Sequence, residues 1–92
     1  MDVTVKTFAD LRKTLGQELV LSIPDGGTVR DLLRILGDRY AAFSPEAFES
    51  NGTLRPGINI LQNGRNIKNL DDLDTRITDG DIIAIFPPIA GG

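Results

Sequence analysis

Four segments of the chain carry the alternating or β-rich pattern of strands. Apolar and polar residues alternate in VTVKTF (3–8), and QELVLSI (17–23) is rich in β-forming residues. GINILQ (57–62) and DIIAIF (81–86) are predicted strands for the same reason. We expect the first two to form a hairpin, joined by ADLRKTLG, which has room for a helical turn.

One helix is predicted from residues that recur at helical spacing. Its apolar positions follow the i, i+3, i+4, i+7, i+11 pattern and share one face: Val29, Leu32, Leu33, Leu36 and Tyr40. Thr28 stands at the N-cap position, and Asp31 stands three residues later, where its carboxylate can complete a capping box. The spacing therefore predicts an amphipathic helix with its apolar face against a sheet.

Turns and shorter elements separate these segments. Asn63-Gly64 is the strongest two-residue hairpin signal in the chain. Ser44-Pro45-Glu46 predicts a short helix with Pro45 at its first position. NIKNL (66–70) is predicted to be a short edge strand, and DDLDTRI (71–77) a turn of helix.

The order strand, strand, helix, strand, short strand, strand predicts a two-layer α+β fold. A mixed sheet of four or five strands packed on one main helix fits this order, and the β-grasp is the small fold that has it. We expect residues 1–86 to form this domain and residues 87–92 to form a flexible tail.

Strand parity divides the predicted sheet residues between two faces. The inward set is expected to face the helix: Val3, Val5, Ile58, Ile60, Ile83 and Ile85. Phe8, Leu61, Ile82 and Phe86 then lie on the opposite face. Contiguous apolar groups on a surface usually mark a binding site. Two alternatives follow: the four residues form a partner interface, or the segment 41–57 folds over them as additional core.

Composition excludes several classes of function. The chain has 10 Lys and Arg against 13 Asp and Glu, a net charge of −3, which disfavours nucleic acid as a partner. With 0 Cys and 0 His there is no thiol nucleophile, no imidazole base and no thiolate or imidazole metal site. Asp71, Asp72 and Asp74 lack the spacing of a calcium loop, so we expect no metal. Without a membrane span or a signal peptide, a cytoplasmic location is expected.

The sequence FPPIAGG (86–92) predicts a tail that takes a direct part in the protein's chemistry. Pro87 and Pro88 give it a stiff, extended root, and Ile89 is a single apolar anchor. Ala90, Gly91 and Gly92 have almost no side-chain bulk, so they can enter a narrow channel. Six extended residues reach about 20 Å. We expect the carboxylate of Gly92 to be the reactive group, activated as a mixed anhydride with AMP.

At these residues the chain resembles the MoaD family. FPPIAGG is very similar to the FPPVAGG ending of MoaD, the small subunit of molybdopterin synthase. NGRNI (63–67), LDDLDT (70–75) and DGDIIAIF (79–86) look like the corresponding parts of archaeal-type MoaD-like and small modifier proteins, as does LRPGINILQNGR (54–65). The similarity is specific from about residue 54 to the end.

The resemblance implies a ubiquitin-like β-grasp and a sulfur carrier without an active site of its own. It implies that a MoeB-type, ubiquitin-activating-type enzyme adenylates Gly92 with ATP and Mg²⁺, and that a persulfide donor converts the adenylate to a thiocarboxylate. It further implies a heterotetramer with a MoaE-type large subunit, to which the tail delivers sulfur for molybdopterin. Phe8, Leu61 and Phe86 occupy positions similar to the family's apolar docking surface.

Other functions stay open from the sequence. A ubiquitin-like protein modifier would use the same activated Gly92 but end in an isopeptide bond to lysine, and the long 41–57 segment leans toward such archaeal-type members. A sulfur carrier for thiamine or cysteine synthesis and a β-grasp interaction domain without chemistry are the remaining alternatives.

Overall fold

The computed structural model describes residues 1–88. Five strands and three helices follow one another along the chain: β1 (Asp2–Thr7), α1 (Asp10–Leu15), β2 (Glu18–Ser22), α2 (Val29–Arg39), α3 (Phe43–Ala47), β3 (Asn59–Gln62), β4 (Arg65–Asn66) and β5 (Ile82–Phe86). Two short 3₁₀ turns, Ile67–Asn69 and Asp72–Asp74, lie between β4 and β5. Among these residues no helix is long and apolar enough to cross a membrane.

The strands form one mixed sheet in the order β2-β1-β5-β3-β4. The central pair, β1 and β5, is parallel, and the other neighbouring pairs are antiparallel. The predicted β-grasp fold is therefore confirmed, with five strands rather than four. Because β5 lies between β1 and β3, the end of the last strand is flanked by residues from both halves of the chain.

Local signals account for the best-defined elements. The capping box at the start of α2 is formed, since the Thr28 side chain accepts from the Asp31 backbone and the Asp31 carboxylate accepts from Thr28 N–H. The Thr28 backbone N–H is the main cause of the lowered pKa of Asp31. Asn63 and Gly64 both have positive φ, 49° and 85°, as a two-residue hairpin between β3 and β4 requires.

The short helix α3 begins earlier than predicted. It starts at Phe43, so Pro45 is its third residue rather than its first. A proline is tolerated there because the first four N–H groups of a helix have no partner within it. The start is shifted because Phe43 and Ala47, four residues apart, are both buried in the core.

Parity assigned the inward residues correctly. Val3, Val5, Ile58, Ile60, Ile83 and Ile85 are each at most 1% exposed, and they join the apolar face of α2 in one core. Helix α3 packs against α1 and α2, on the same side of the sheet as that core. The segment 41–57 therefore does not fold over the outward apolar residues, and only Gly57, at its end, reaches the outward face.

One ionised side chain is buried at the start of β5. The Asp81 carboxylate accepts hydrogen bonds from Thr78 N–H and the Gln62 amide, both at 2.8 Å, and from the Asn63 amide and the Thr78 hydroxyl, both at 2.9 Å. Burial raises the pKa of Asp81, but these hydrogen bonds outweigh it and the pKa is lowered overall. The network ties the beginning of β5 to the β3–β4 turn.

Candidate functional site

Two phenylalanines stack at the end of the central parallel pair. The register pairs Thr7 of β1 with Ile85 of β5, so Phe8 and Phe86 follow side by side. Their ring centroids are 4.2 Å apart with an interplanar angle of 7°. Both are half-buried, each covering the other while leaving part of its surface to solvent. This pair marks the end of the outward apolar face that lies nearest to the tail.

Leu61 extends this surface onto β3. It is paired with Ala84, which places it diagonally across from Phe86, within reach of a long side chain. Leu61 and the two rings line a cleft of about 860 Å³, which has these further lining residues: Ala9, Gly57, Asn59, Asn66, Pro87 and Pro88. The structure thus brings together three of the four residues predicted to form the interface. We call this the tail cleft.

Ile82 lies on the same face but outside the tail cleft. It is 41% exposed and pairs with Thr4, which in turn pairs with Val20 on β2. Val20 is 63% exposed, so it and Ile82 flank Thr4 at the opposite end of the sheet face. Parity correctly predicted that Ile82 points outward, but parity carries no information about position along a strand.

Pro87 and Pro88 continue from β5 along the edge of the tail cleft. Pro87 is half-buried, and Pro88 is exposed but lies against Gly57. The predicted tail-binding residues Ile89, Ala90 and Gly91 and the predicted reactive residue Gly92 lie outside the described residues.

The tail cleft is apolar and uncharged. None of its described lining residues carries a charge, and its side-chain hydrogen-bonding groups are the amides of Asn59 and Asn66. Such a surface can bind an apolar partner, but it offers no acid, base or nucleophile. Within residues 1–88 no three His, Cys, Asp or Glu side chains lie close enough to hold a metal ion.

Sequence inspection missed four of the residues that line the tail cleft: Ala9, Gly57, Asn59 and Asn66. Ala9 has a positive φ of 53°, which nothing in the sequence signals. Asn59 is paired with Phe86 in the β3–β5 ladder, a contact that requires the strand order. Gly57 was predicted to begin a strand. Its position beside Pro88 follows from the antiparallel β3–β5 register, in which Asn59 pairs with Phe86 and Gly57 is two residues further on, opposite Pro88.

A second cleft, of about 670 Å³, lies on the helix side between α2 and the 43–55 segment. Three arginines line it, and each has an acceptor within the chain. Arg30 pairs with Asp74 at 3.3 Å, Arg34 pairs with Asp31 at 3.1 Å, and Arg55 donates to the Pro45 carbonyl at 2.8 Å. Because each arginine already has an acceptor within the chain, its position does not require a bound ligand.

Sequence comparison relates the whole chain to small carrier and modifier proteins. The model of the ThiS family matches residues 5–92. The chain is 37% identical over 93 residues to small archaeal modifier protein 3 of Haloferax volcanii, with 100% of both chains covered. It is 32% identical over 94 residues to the sulfur carrier protein CysO of Mycobacterium tuberculosis, again with 100% of both covered.

Solved structures repeat the same fold. The crystal structure of SAMP1 from Haloferax volcanii superposes with a TM-score of 0.89 at 31% identity, covering 100% of both chains. A Pyrococcus furiosus protein, described provisionally as subunit 1 of a molybdopterin converting factor, superposes with a TM-score of 0.75 at 31% identity, covering 97% of this chain and 99% of that one.

Proposed function

The chain belongs to the ThiS/MoaD family of ubiquitin-like sulfur carriers, and we propose that it carries sulfur on the carboxylate of Gly92. Members of this family are small carrier or modifier proteins rather than catalysts themselves. In the proposed cycle this chain supplies the acyl group and a docking surface, and its partners supply the catalytic residues.

The observation that supports the proposal best is the position of the tail cleft. The stacked Phe8 and Phe86 lie where β5 ends, and Pro87 and Pro88 line the same cleft. A partner docked on these rings is therefore placed next to the start of the tail. An apolar surface directly at the root of a thin, glycine-ended peptide suits delivery of that peptide into a partner's active site.

The proposed chemistry begins with an unreactive carboxylate. An oxygen of the Gly92 carboxylate attacks the α-phosphorus of ATP on the activating enzyme, with release of pyrophosphate and formation of an acyl adenylate. A persulfide sulfur then attacks the acyl carbon and AMP leaves. A second thiol cleaves the resulting S–S bond, which leaves the thiocarboxylate on Gly92. Glycine has no side chain to hinder attack at its carbonyl carbon.

We assign the sulfur to molybdopterin synthesis. In this assignment a MoaE-type subunit takes the tail, two of each chain form a heterotetramer, and a MoeB-type enzyme with ATP and Mg²⁺ carries out the activation. The FPPIAGG ending and the likeness to the Pyrococcus furiosus protein support it. Since the reaction consumes ATP, we expect it to occur in the cytoplasm.

Protein modification is a second candidate of similar weight. The full-length match to small archaeal modifier protein 3 and the high TM-score with SAMP1 favour it. Both functions need the same activated Gly92 and differ in the nucleophile, which is sulfur in one case and a lysine amine in the other.

An intact mass measurement tests both functions. The protein is isolated from its native host under conditions that preserve acyl sulfur, and larger adducts are sought by immunoblot. Free protein with one oxygen replaced by sulfur, and no adducts, supports the dedicated carrier. A ladder of conjugates supports the modifier.

Deletion of Gly91 and Gly92 is the matched control, because it should abolish either product without changing the melting temperature. Neither product in the full-length chain would overturn both functions and leave a β-grasp interaction domain.

A further inference from the structure

We propose that Gly57 is a positioning residue for the tail. The Pro88 ring packs against the Gly57 backbone, where a side chain would otherwise lie. In this proposal the contact fixes the position of Pro88, and hence the start of residues 89–92. The functional consequence rests on the function proposed above, whereas the contact itself can be tested on the isolated protein.

The β3–β5 register brings the two residues together. β3 and β5 are antiparallel, with Leu61 paired with Ala84 and Asn59 with Phe86. Continuing the same register by two residues places Gly57 beside Pro88. Proline has no N–H to donate, so Pro87 and Pro88 cannot supply the donor half of the ladder, and packing of the Pro88 ring against Gly57 adds a contact there. The contact lies where the prolines can donate no backbone hydrogen bond.

The geometry at Gly57 leaves too little room for a side chain unless Pro88 moves. A Cβ built there would lie 3.1 Å from Pro88 Cβ and 3.3 Å from Pro88 Cγ, closer than ordinary van der Waals contact. The φ of Gly57 is +87°, a conformation that residues with a Cβ seldom adopt. A side chain at position 57 would therefore be strained by the backbone and would push the proline ring away by a few tenths of an ångström.

The backbone at Gly57 is held from two sides, so it cannot easily withdraw from Pro88. The next residue, Ile58, is 1% exposed and belongs to the core. Two residues before, Arg55 donates its N–H to the Ala47 carbonyl at 2.8 Å. The Asn59 amide also makes a long hydrogen bond of 3.4 Å to the Gly57 carbonyl. A side chain at position 57 would consequently displace Pro88, the exposed partner, rather than the loop beneath it.

Displacement of Pro88 matters because Gly92, the proposed reactive residue, is only four residues further along the chain. Four extended residues span at most about 14 Å. A Cβ at position 57 would shift the proline ring by a few tenths of an ångström, and we expect this shift to change how the Gly92 carboxylate is presented, since rates depend steeply on the placement of reacting groups. The three atoms nearest to a Cβ at position 57 all belong to Pro88 and none to the rings of Phe8 and Phe86, so we expect kcat of adenylation to fall more than KM rises.

Gly52 provides a matched control for this experiment. Its φ of +88° is nearly the same as that of Gly57, and a Cβ there would meet nothing within 4 Å. Gly52→Ala and Gly57→Ala should therefore lower the melting temperature by similar amounts through backbone strain. In Gly57→Ala alone, we expect kcat for adenylation by a MoeB-type enzyme to fall about tenfold. Gly52→Ala should stay within about twofold of the unmodified chain.

Proton NMR of the isolated protein tests the contact without any enzyme. The unmodified chain should show a nuclear Overhauser effect between the Gly57 α protons and the Pro88 ring. In Gly57→Ala the Pro88 resonances should shift, and in Gly52→Ala they should not. Absence of the effect in the unmodified chain, or an unshifted Pro88 in Gly57→Ala, would overturn the proposal whatever the outcome of the adenylation assay.

Pro88→Gly completes a double-mutant cycle, because it removes the Cβ and Cγ that an alanine at position 57 would meet. Gly57→Ala should then have little further effect on kcat in the Pro88→Gly background. A tenfold loss that persists there would show that Gly57 acts through some other contact. If the unmodified chain is not adenylated at all, the proposed function fails, and the NMR comparison alone decides the role of Gly57.

Discussion

Successive residues of β5 differ sharply in their surroundings, although they have similar apolar side chains. Ile83 and Ile85 are 0% exposed beneath the helices, whereas Ile82 is 41% exposed and Phe86 is half-buried on the other face. Full burial of an isoleucine contributes about 1.5–3 kcal/mol to folding, and a half-exposed side chain contributes correspondingly less. One strand thus stabilises the fold with one set of side chains and leaves another set partly exposed to solvent.

This difference implies that mutations on the two faces should affect different measurements. Substitutions on the covered face should reduce the free energy of unfolding, and substitutions at the tail cleft should reduce affinity for a partner. Four changes, taken in order of decreasing expected effect, test whether the division holds.

The largest effect is expected for Ile85→Ala on the covered face. Ile85 is 0% exposed, and truncation of a buried isoleucine to alanine costs about 2–5 kcal/mol because it leaves a cavity. Urea denaturation should show this loss as a lower midpoint with an unchanged slope. Ile85→Val is the control and should cost about 0.5–1.5 kcal/mol. A loss below about 1 kcal/mol for Ile85→Ala would mean that the covered face is not the principal source of stability.

Asp81→Asn is next, because the Asp81 carboxylate is buried and accepts four hydrogen bonds. In asparagine one carboxylate oxygen is replaced by an N–H₂ group, which cannot accept a hydrogen bond, so at least one of the four donors loses its partner. We therefore expect the free energy of unfolding to fall by about 1–3 kcal/mol at neutral pH. The pKa of Asp81 is lowered in the folded state, so its contribution is complete above the ordinary carboxyl pKa of about 3.9. That contribution is lost as the pH falls through the lower, folded-state pKa.

The pH dependence of stability tests this assignment. Unfolding free energies measured between pH 6 and about pH 2.5 should fall more steeply for the unmodified chain than for Asp81→Asn. The pKa of Asp31 is also lowered, so Asp81→Asn should keep part of the acid dependence. Parallel curves for the two proteins would contradict the role given to Asp81.

The features that sequence predicted well are those encoded within a few residues. Thr28 and Asp31 specify the start of α2, Asn63-Gly64 specifies the hairpin, and alternation in DIIAIF assigns each β5 side chain to a face. Each depends on local hydrogen bonding or on the two-residue period of a strand, so no knowledge of the fold is needed.

The features that could not be predicted depend on which strands are neighbours. Phe8 and Phe86 were placed on one face, but their stacking requires that β1 and β5 be adjacent and parallel. The contact between Gly57 and Pro88 requires the β3–β5 register, and the early start of α3 requires a core that accepts Phe43. These contacts join residues far apart in the chain, and local pattern does not contain them.

Phe86→Ala should reveal the function of the open face. Its loss of stability should be about 1–2 kcal/mol, from the lost partial burial and the broken stack with Phe8. Affinity for a MoeB-type activating enzyme, measured by calorimetry, should fall about tenfold or more, as expected for a central aromatic of an interface. Val20→Ala, on the same face at a distance from the tail cleft, is the control and should bind normally. A large loss of monomer stability with unchanged binding would show that Phe86 belongs to the core.

Ile82→Ala is expected to have the smallest effect, and it determines how far the interface extends. Ile82 and Phe86 are four residues apart on one strand, a distance of about 13 Å, and Ile82 does not line the tail cleft. If the partner contacts only the surface around the tail root, affinity should change less than about threefold, or about 0.6 kcal/mol. A tenfold loss, equal to that of Phe86→Ala, would mean that the partner covers the whole open face. Val20→Ala should then also weaken binding, since Val20 and Ile82 flank the same Thr4.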